Sequence, residues 1–356
     1  MKQTLLISIA IVALWVISCD DVPLSAIRIG PDTTSHNFVW RVDTLGDIYS
    51  SVLYDVFIID DNNIWAVGEI NIKNANGNWI NPPYNIARWN GQQWTLDRVL
   101  FKWDFGTGYS QARAIFAFSP TDILVSSGGS VMRWNGTNWS NLGFLCEGTN
   151  CVGSVYRIWG VNNKDLYGVG YGGKIVHWNG SAWNLESQVD CDLTDIWGGG
   201  SIVWTCGWKF DNSESVLLKK TNALWNTLWK KTQPDFSVPY IGLLSSVWAN
   251  AEQAWIVGSA GAFEHFPQDP DYIEKTKLLL TNFPYRVRGS ANNDVTLAGD
   301  ASMIWHWNGS TWHKYDELYN QDNRLYGLHA TASRVVAVGR RYDPLSAPAL
   351  IISGSR

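Results

Sequence analysis

Seven short apolar runs ending in glycine recur along this chain at nearly constant intervals. They are IWAVG ending at Gly68, ILVSSG at Gly128, LYGVG at Gly170, VWTCG at Gly207, AWIVG at Gly258, VTLAG at Gly299 and VVAVG at Gly339. Successive glycines stand 60, 42, 37, 51, 41 and 40 residues apart. A base period near 40 with insertions marks one supersecondary unit repeated, and a unit of that size cannot bury its own apolar faces. The copies must therefore stack against one another.

Each copy follows one grammar. Ten to twelve residues before the glycine comes a short strand carrying a large residue: Phe57, Phe116, Trp159, Trp197, Trp248, Arg288 or His329. A polar turn follows (DDNN, SPTD, NNKD, ANND), then the strand ending in glycine. A third strand runs into a shared motif, seen as RWNGQQW at 88–94, RWNGTNW at 133–139, HWNGSAW at 177–183 and HWNGSTW at 306–312. Asn-Gly between two β runs is a strong hairpin signal, with both residues expected at φ > 0. The last Trp of the motif opens a fourth strand. The 22 Trp of the chain are mostly spent in this repeat. No later segment sustains a 3.6-residue apolar period. The reading is all-β: a seven-bladed β-propeller of four-stranded antiparallel blades. The seventh copy stops at LIISGSR, where Ser353-Gly354 takes the place of the Asn-Gly turn, and it lacks a fourth strand. HNFVWRVDTL, at 36–45, has the fourth-strand pattern, and residues 37–44 are expected to close the last blade, removing free sheet edges.

Residues 157–183, RIWGVNNKDLYGVGYGGKIVHWNGSAW, resemble the unit of bacterial β-propeller repeat proteins, roughly W-G-(turn)-D-(V/L)-(W/Y)-x-V-G…G-x-I-x-H-W-N-G-x-x-W. The resemblance covers 36–356 and implies a propeller in an exported protein. Looser relatives are photosystem-II-assembly-factor-like and sialidase-like propellers. Proteins of this kind mostly lack a defined activity, so the resemblance implies little chemistry. The sialidase Asp-box is not cleanly present, WD40 and kelch signatures are missing, and no sialidase residues are carried over. Unit four departs from the pattern with KTNALW and unit five with HFPQDPDY, which predicts an irregular outer edge for blade five.

The first residues, MKQTLLISIAIVALWVISCDD, carry Lys2 and an apolar run from Leu5 to Ile17, too short to span a bilayer and suited to a signal peptide. Val16-Ile17-Ser18-Cys19 resembles a bacterial lipobox, which implies cleavage before Cys19 and lipid on its sulfur. The expected organisation is a signal peptide over 1–18, a lipidated tether over 19–35 and the propeller over 36–356. The expected location is the bacterial cell envelope, periplasm-facing or at the cell surface, with a lipid at Cys19 that tethers the chain without spanning the membrane. The net charge of −5 excludes a nucleic-acid footprint. A monomer is expected. Cys146 and Cys151, in CEGTNC, read as a local disulfide. Cys191 and Cys206 form a second bridge or remain buried thiols. Cysteine and histidine spacings fit no metal site, and no cofactor is expected.

Catalytic signatures such as G-x-S-x-G, H-E-x-x-H, the P-loop and the EF-hand loop are absent from the sequence. His177 and His306 precede the Trp of WNG at equivalent repeat positions, so they point apart and read as structural. Symmetry breaks two residues before the large first-strand residue, at Asp55, Ala114, Arg157, Asp195, Ser246, Arg286 and Gly327. In a propeller that strand lines the central channel. With Arg288 and His329 these residues form either a polar ligand ring at one mouth or blade-to-blade ion pairs. The second candidate surface is on insertions: Trp79 and Tyr84 in NGNWINPPY, and Lys102, Trp103, Asp104 and Tyr109 in FKWDFGTGY. Exposed aromatics on loops suit glycan or protein contacts. The expected function is a non-enzymatic, membrane-anchored binding or scaffold module contacting protein or glycan through these loops and the channel mouth. The alternative is a carbohydrate-active hydrolase or lyase, which needs carboxylates converging at that mouth, roughly 5–9.5 Å apart for a glycosidase.

Overall fold

The computed structural model describes residues 33–47, 50–211, 214–232, 242–265, 278–342 and 347–356. The expected signal peptide, the lipidated Cys19 and the tether through residue 32 lie outside these, as does most of HFPQDPDY. Thr33–Arg356 form one compact unit.

Seven antiparallel sheets make a seven-bladed β-propeller. The innermost strands are Val52–Asp60, Ala114–Ser119, Arg157–Asn162, Asp192–Gly199, Leu244–Ala249, Pro284–Ala291 and Asn323–Ala330. Each touches the next around the axis, and Asn323–Ala330 returns to Val52–Asp60. In blades one to six the further strands follow outward in chain order. Blade five has three strands among the described residues. The glycine-terminated second strands, such as Asn63–Ile70 and Ala254–Gly258, are buried on both faces. They read as continuous apolar runs because a neighbouring blade covers each side.

Trp fills the space between blades. Trp65 of blade one lies 6.2 Å from both Trp134 and Trp139 of blade two. Trp255 of blade five lies 5.9 Å from Trp307 and 5.3 Å from Trp312 of blade six. The two Trp of each WNGxxW motif pair across the hairpin at 5.4–5.8 Å in all four copies. The turn between them differs from the expected form. Only the glycine takes positive φ, near 90° in Gly91, Gly136, Gly180 and Gly309. The Asn instead accepts two backbone N–H groups through its side chain, as Asn90 does from Gln92 at 3.0 Å and Gln93 at 2.9 Å. The loop has four residues, and an Asx cap replaces the second left-handed residue.

Val39–Leu45 pairs along its whole length with Ala349–Ser355, from Val39 opposite Ser355 to Leu45 opposite Ala349. The first strand of the unit thus completes the last blade. Ser353-Gly354 forms no turn. Both residues lie inside the strand, and a side chain at Gly354 would strike the Trp40 ring at 2.6 Å. His36 joins the closure by meeting His306 of blade six, Nδ1 to Nδ1, at 2.8 Å. Arg356 reaches Asp294 of blade six at 2.7 Å.

Two hairpins stand outside the blades, Phe101–Trp103 with Gly106–Gly108 and Cys146–Glu147 with Asn150–Cys151. A disulfide joins Cys146 to Cys151. No bridge joins Cys191 to Cys206, and both are buried free thiols. They face opposite sides of blade four. Cys191 packs with blade-three residues, while Cys206 packs with Leu244, Val247 and Phe263 of blade five. The Cys191 thiol donates to Glu214 at 3.2 Å.

Candidate functional site at the channel mouth

A β-bulge near the start of the innermost strand decides what each blade shows to the axis. In blades one, four, five, six and seven the ladder register skips one residue, namely Tyr54, Thr194, Ser245, Tyr285 and Tyr326. A bulged residue leaves the ladder and its side chain is re-aimed. The repeat glycine sits opposite the residue just before the bulge. A Cβ on Gly68, Gly207, Gly299 or Gly339 would lie 1.7–2.1 Å from a carbonyl oxygen in the innermost strand or, at Gly299, of Phe283 just before it. At these four positions the glycine is the imprint of the bulge, where only a residue without a side chain lets the two strands close.

The residues after the bulge, where a ring of charge was expected, mostly turn between blades. Asp55 accepts its own Val56 N–H at 3.1 Å and Ile115 N–H of blade two at 3.2 Å. Asp195 accepts Val247 N–H of blade five at 3.2 Å and the Ser246 hydroxyl. Ser246 Oγ accepts Val287 N–H of blade six at 3.1 Å. Arg288 completes this chain of contacts with two bonds to Asp195, at 2.8 and 2.9 Å, and stacks its guanidinium 4.4 Å from Trp197. His329 Nδ1 accepts Ile58 N–H at 3.3 Å. Burial, then the nearby Arg288, holds the imidazole down to a pKa of about 3. Burial pushes the Asp55 carboxyl up, against the pull of Arg157 and Arg288. These groups join neighbouring blades. Asp55, Asp195, Arg288 and His329 do not line the cavity at the mouth.

The residue one position earlier does line it, in every blade. Tyr54, Arg113, Tyr156, Thr194, Ser245, Tyr285 and Tyr326 meet around one cavity of about 250 Å3. Tyr326 stands 6.2 Å from Tyr54 and 5.1 Å from Tyr285, and Tyr156 stands 4.6 Å from Tyr171. The Arg113 guanidinium lies 4.0 Å from the Tyr54 ring and 5.6 Å from the Tyr156 ring. Thr194 and Ser245 leave a smaller, polar side at blades four and five. Burial pushes the Tyr54, Tyr156 and Tyr326 phenols up, and that of Tyr285 to about 12. All four are thus neutral hydroxyls at physiological pH.

Arg157 and Arg286, two of the expected ring residues, reach this cavity. Their roles are equivalent. Arg157 Nη1 donates to the Tyr156 and Arg113 carbonyls at 2.7 and 2.9 Å, and Arg286 Nη1 donates to the Tyr285 and Ser245 carbonyls at 2.6 and 3.3 Å. Each thereby ties its own blade to the preceding one at the cavity wall. The Nε of each is buried without a hydrogen-bond partner.

The expected loop residues lie apart from this cavity. Trp79 has the Lys73 ammonium 4.9 Å above its ring, and Arg98 stacks 3.7 Å from Tyr84. Lys102 is exposed, and its carbonyl accepts Ser130 and Asn141 at 2.8 and 3.1 Å. Trp103 stacks on Phe105 at 5.7 Å, Asp104 accepts Gly148 N–H from the disulfide hairpin at 2.7 Å, and Tyr109 is exposed. His177 and His306 each bond an Asp of their own blade at 2.7 Å, Asp165 and Asp294. No group of three or more His, Cys, Asp or Glu suited to a metal exists among the described residues. Chemically, the mouth can grip a small ligand between aromatic walls and direct guanidinium and hydroxyl donors at it. Its one acidic lining residue, Asp192, already accepts Gly172 N–H at 2.8 Å.

No family model matches the sequence, and no curated protein does. Among solved structures the chain is similar to one described as YCF48 bound to D1 peptide, with TM-score 0.64 and 12% identity over 92% of this chain and 98% of that one. It is also similar to the WD40 β-propeller domain of Doa1, with TM-score 0.58 and 11% identity over 89% of this chain and 98% of that one. At such identities the likeness establishes the fold. It includes a WD40 propeller although the WD40 sequence signature is missing here.

Proposed function

We propose that this propeller is a non-enzymatic binding module whose axial mouth takes a segment of a protein partner. The observation that carries the reading is the convergence of one repeat column from all seven blades on a single aromatic-walled cavity. Four of those seven residues are Tyr and one is Arg. The size favours a protein segment over a glycan chain. About 250 Å3 is below the 300–1,000 Å3 usual for larger ligands and suits one side chain or a chain end. The solved propeller with the higher TM-score was described with a peptide bound, which supports the same class of partner. The channel carboxylates Asp55 and Asp195 are committed to backbone N–H groups and Arg288, so they do not serve the alternative of a carbohydrate-active enzyme.

Selection of a random peptide library against the full chain tests this. Enriched peptides should lose roughly thirtyfold in affinity to Tyr285→Ala or Tyr54→Ala, as a central aromatic contact worth about 2 kcal/mol requires. Peptides that bind those variants and the parent alike would place the site elsewhere. The proposal includes a membrane tether at Cys19, supported by VISC and the apolar run before it. Lipid labelling that persists in Cys19→Ala would refute that part.

A further inference from the structure

We infer that the axial mouth selects a carboxylate carried on an apolar group. This rests on the reading of the mouth as a binding site and names the chemistry it recognises. The first ground is charge. The lining holds three guanidiniums, Arg113, Arg157 and Arg286, against one carboxylate, Asp192. Among the described residues none of the three Arg has a carboxylate within 4.0 Å, whereas Arg288 below them is fully paired. Arg157 is partly compensated by the nearby Asp55 and Asp195, whereas Arg113 and Arg286 are stacked or bonded only to carbonyls, and in a partly enclosed site their charge attracts an anion.

The second ground is a set of donors without acceptors. Arg286 is 5% exposed, and its Nε has no partner. Arg113 is half-buried and lines the cavity, with its guanidinium 4.0 Å from the Tyr54 ring. Of the phenols around these donors Tyr54 is bonded to Gln111, Tyr326 to Tyr342 and Tyr285 to Asp300, while Tyr156 can add a hydrogen bond to an anion. The third ground is the wall itself. Tyr156, Tyr171, Tyr285 and Phe283 offer ring faces, which suit an aromatic or aliphatic group attached to the carboxylate and leave little for a bare inorganic anion to touch. A free chain end with an apolar last residue has this chemistry, and so does an acidic side chain beside an apolar one.

Titration of the full chain with 3-phenylpropionate and with its neutral isostere 3-phenylpropanamide tests the inference without any assumed partner. The acid should bind roughly tenfold or more tightly, the ratio expected for hydrogen bonds to a charged group. Arg113→Gln should bring the acid down to the amide, and Arg113→Lys should restore part of the difference. An unchanged thermal midpoint in Arg113→Gln confirms that the fold is intact, and the acid–amide comparison on the unaltered chain stands if that variant fails to fold. Equal binding of acid and amide overturns the inference, as does no binding of either. Loss of acid preference with retained peptide binding would refute the carboxylate and leave the axial reading standing. A peptide ending in Phe, free or amidated, and an amidated peptide with an internal Glu-Phe then separate a chain end from an acidic side chain.

Discussion

Replacing Arg288 by Met should destabilise the propeller by about 3 kcal/mol, because it orphans a buried charge. Asp195 is fully buried, and Arg288 supplies two of its four short contacts, at 2.8 and 2.9 Å. Breaking a buried pair from one side costs about 3–5 kcal/mol. Val247 N–H, at 3.2 Å, and the Ser246 hydroxyl remain to the carboxylate, which places the loss at the low end. At roughly 1.5 °C per kcal/mol for a unit of this size, the thermal midpoint should fall by about 5 °C. Adding Asp195→Asn to Arg288→Met removes the orphaned charge, while the amide oxygen still accepts Val247 N–H. The double variant should therefore be more stable than Arg288→Met by about 1–2 kcal/mol, although it carries one more substitution. Equilibrium urea unfolding followed by Trp fluorescence measures all of these. An Arg288→Met loss below about 1 kcal/mol, or a double variant no better than Arg288→Met, would show that this pair does not hold blades four to six together.

Acid should weaken the fold before the carboxylates titrate. Burial, then His306, His313 and Arg356, lowers the His36 pKa from 6.5 to about 4, and His329 falls to about 3. The unfolded chain then binds more protons, so stability is complete above pH 6.5 and declines as pH falls towards 4. His329→Gln keeps an acceptor for Ile58 N–H and should flatten the decline, so an identical pH profile of melting would refute the role of His329. Trp255→Ala empties a fully buried site between blades five and six and should cost about 3–5 kcal/mol in the same urea assay. Deleting residues 36–45 removes the strand that covers Ala349–Ser355, and an unchanged melting temperature would refute ring closure.

What the sequence shows plainly is what symmetry repeats. The glycine interval gave seven units, the WNG turns gave the hairpins, and HNFVWRVDTL matched the missing fourth strand because each recurs in the same surroundings. Contacts that no repeat governs were not legible. The fate of Cys191 and Cys206 depends on which face of blade four each one occupies, and their separation along the chain does not encode that. Gly354 looked like half of a turn because Ser-Gly resembles Asn-Gly, but its cause is the Trp40 ring lying on the strand.

The column that lines the mouth was missed by one residue, and the reason is physical. Simple alternation along a strand sends every second residue to one side, so counting back two from Phe57 or Trp197 arrives at Asp55 and Asp195. The bulge breaks that count. It adds one residue before Asp55, Asp195, Ser246, Arg286 and Gly327, and the added residue faces the mouth. The signal was available in the repeat glycine. At Gly68, Gly207, Gly299 and Gly339 a facing backbone is pressed against the glycine, and the bulge opposite supplies that close approach. Read with that bulge in place, the column shifts to Tyr54, Arg113, Tyr156, Thr194, Ser245, Tyr285 and Tyr326. In it the symmetric frame ends and a chemically specific surface begins.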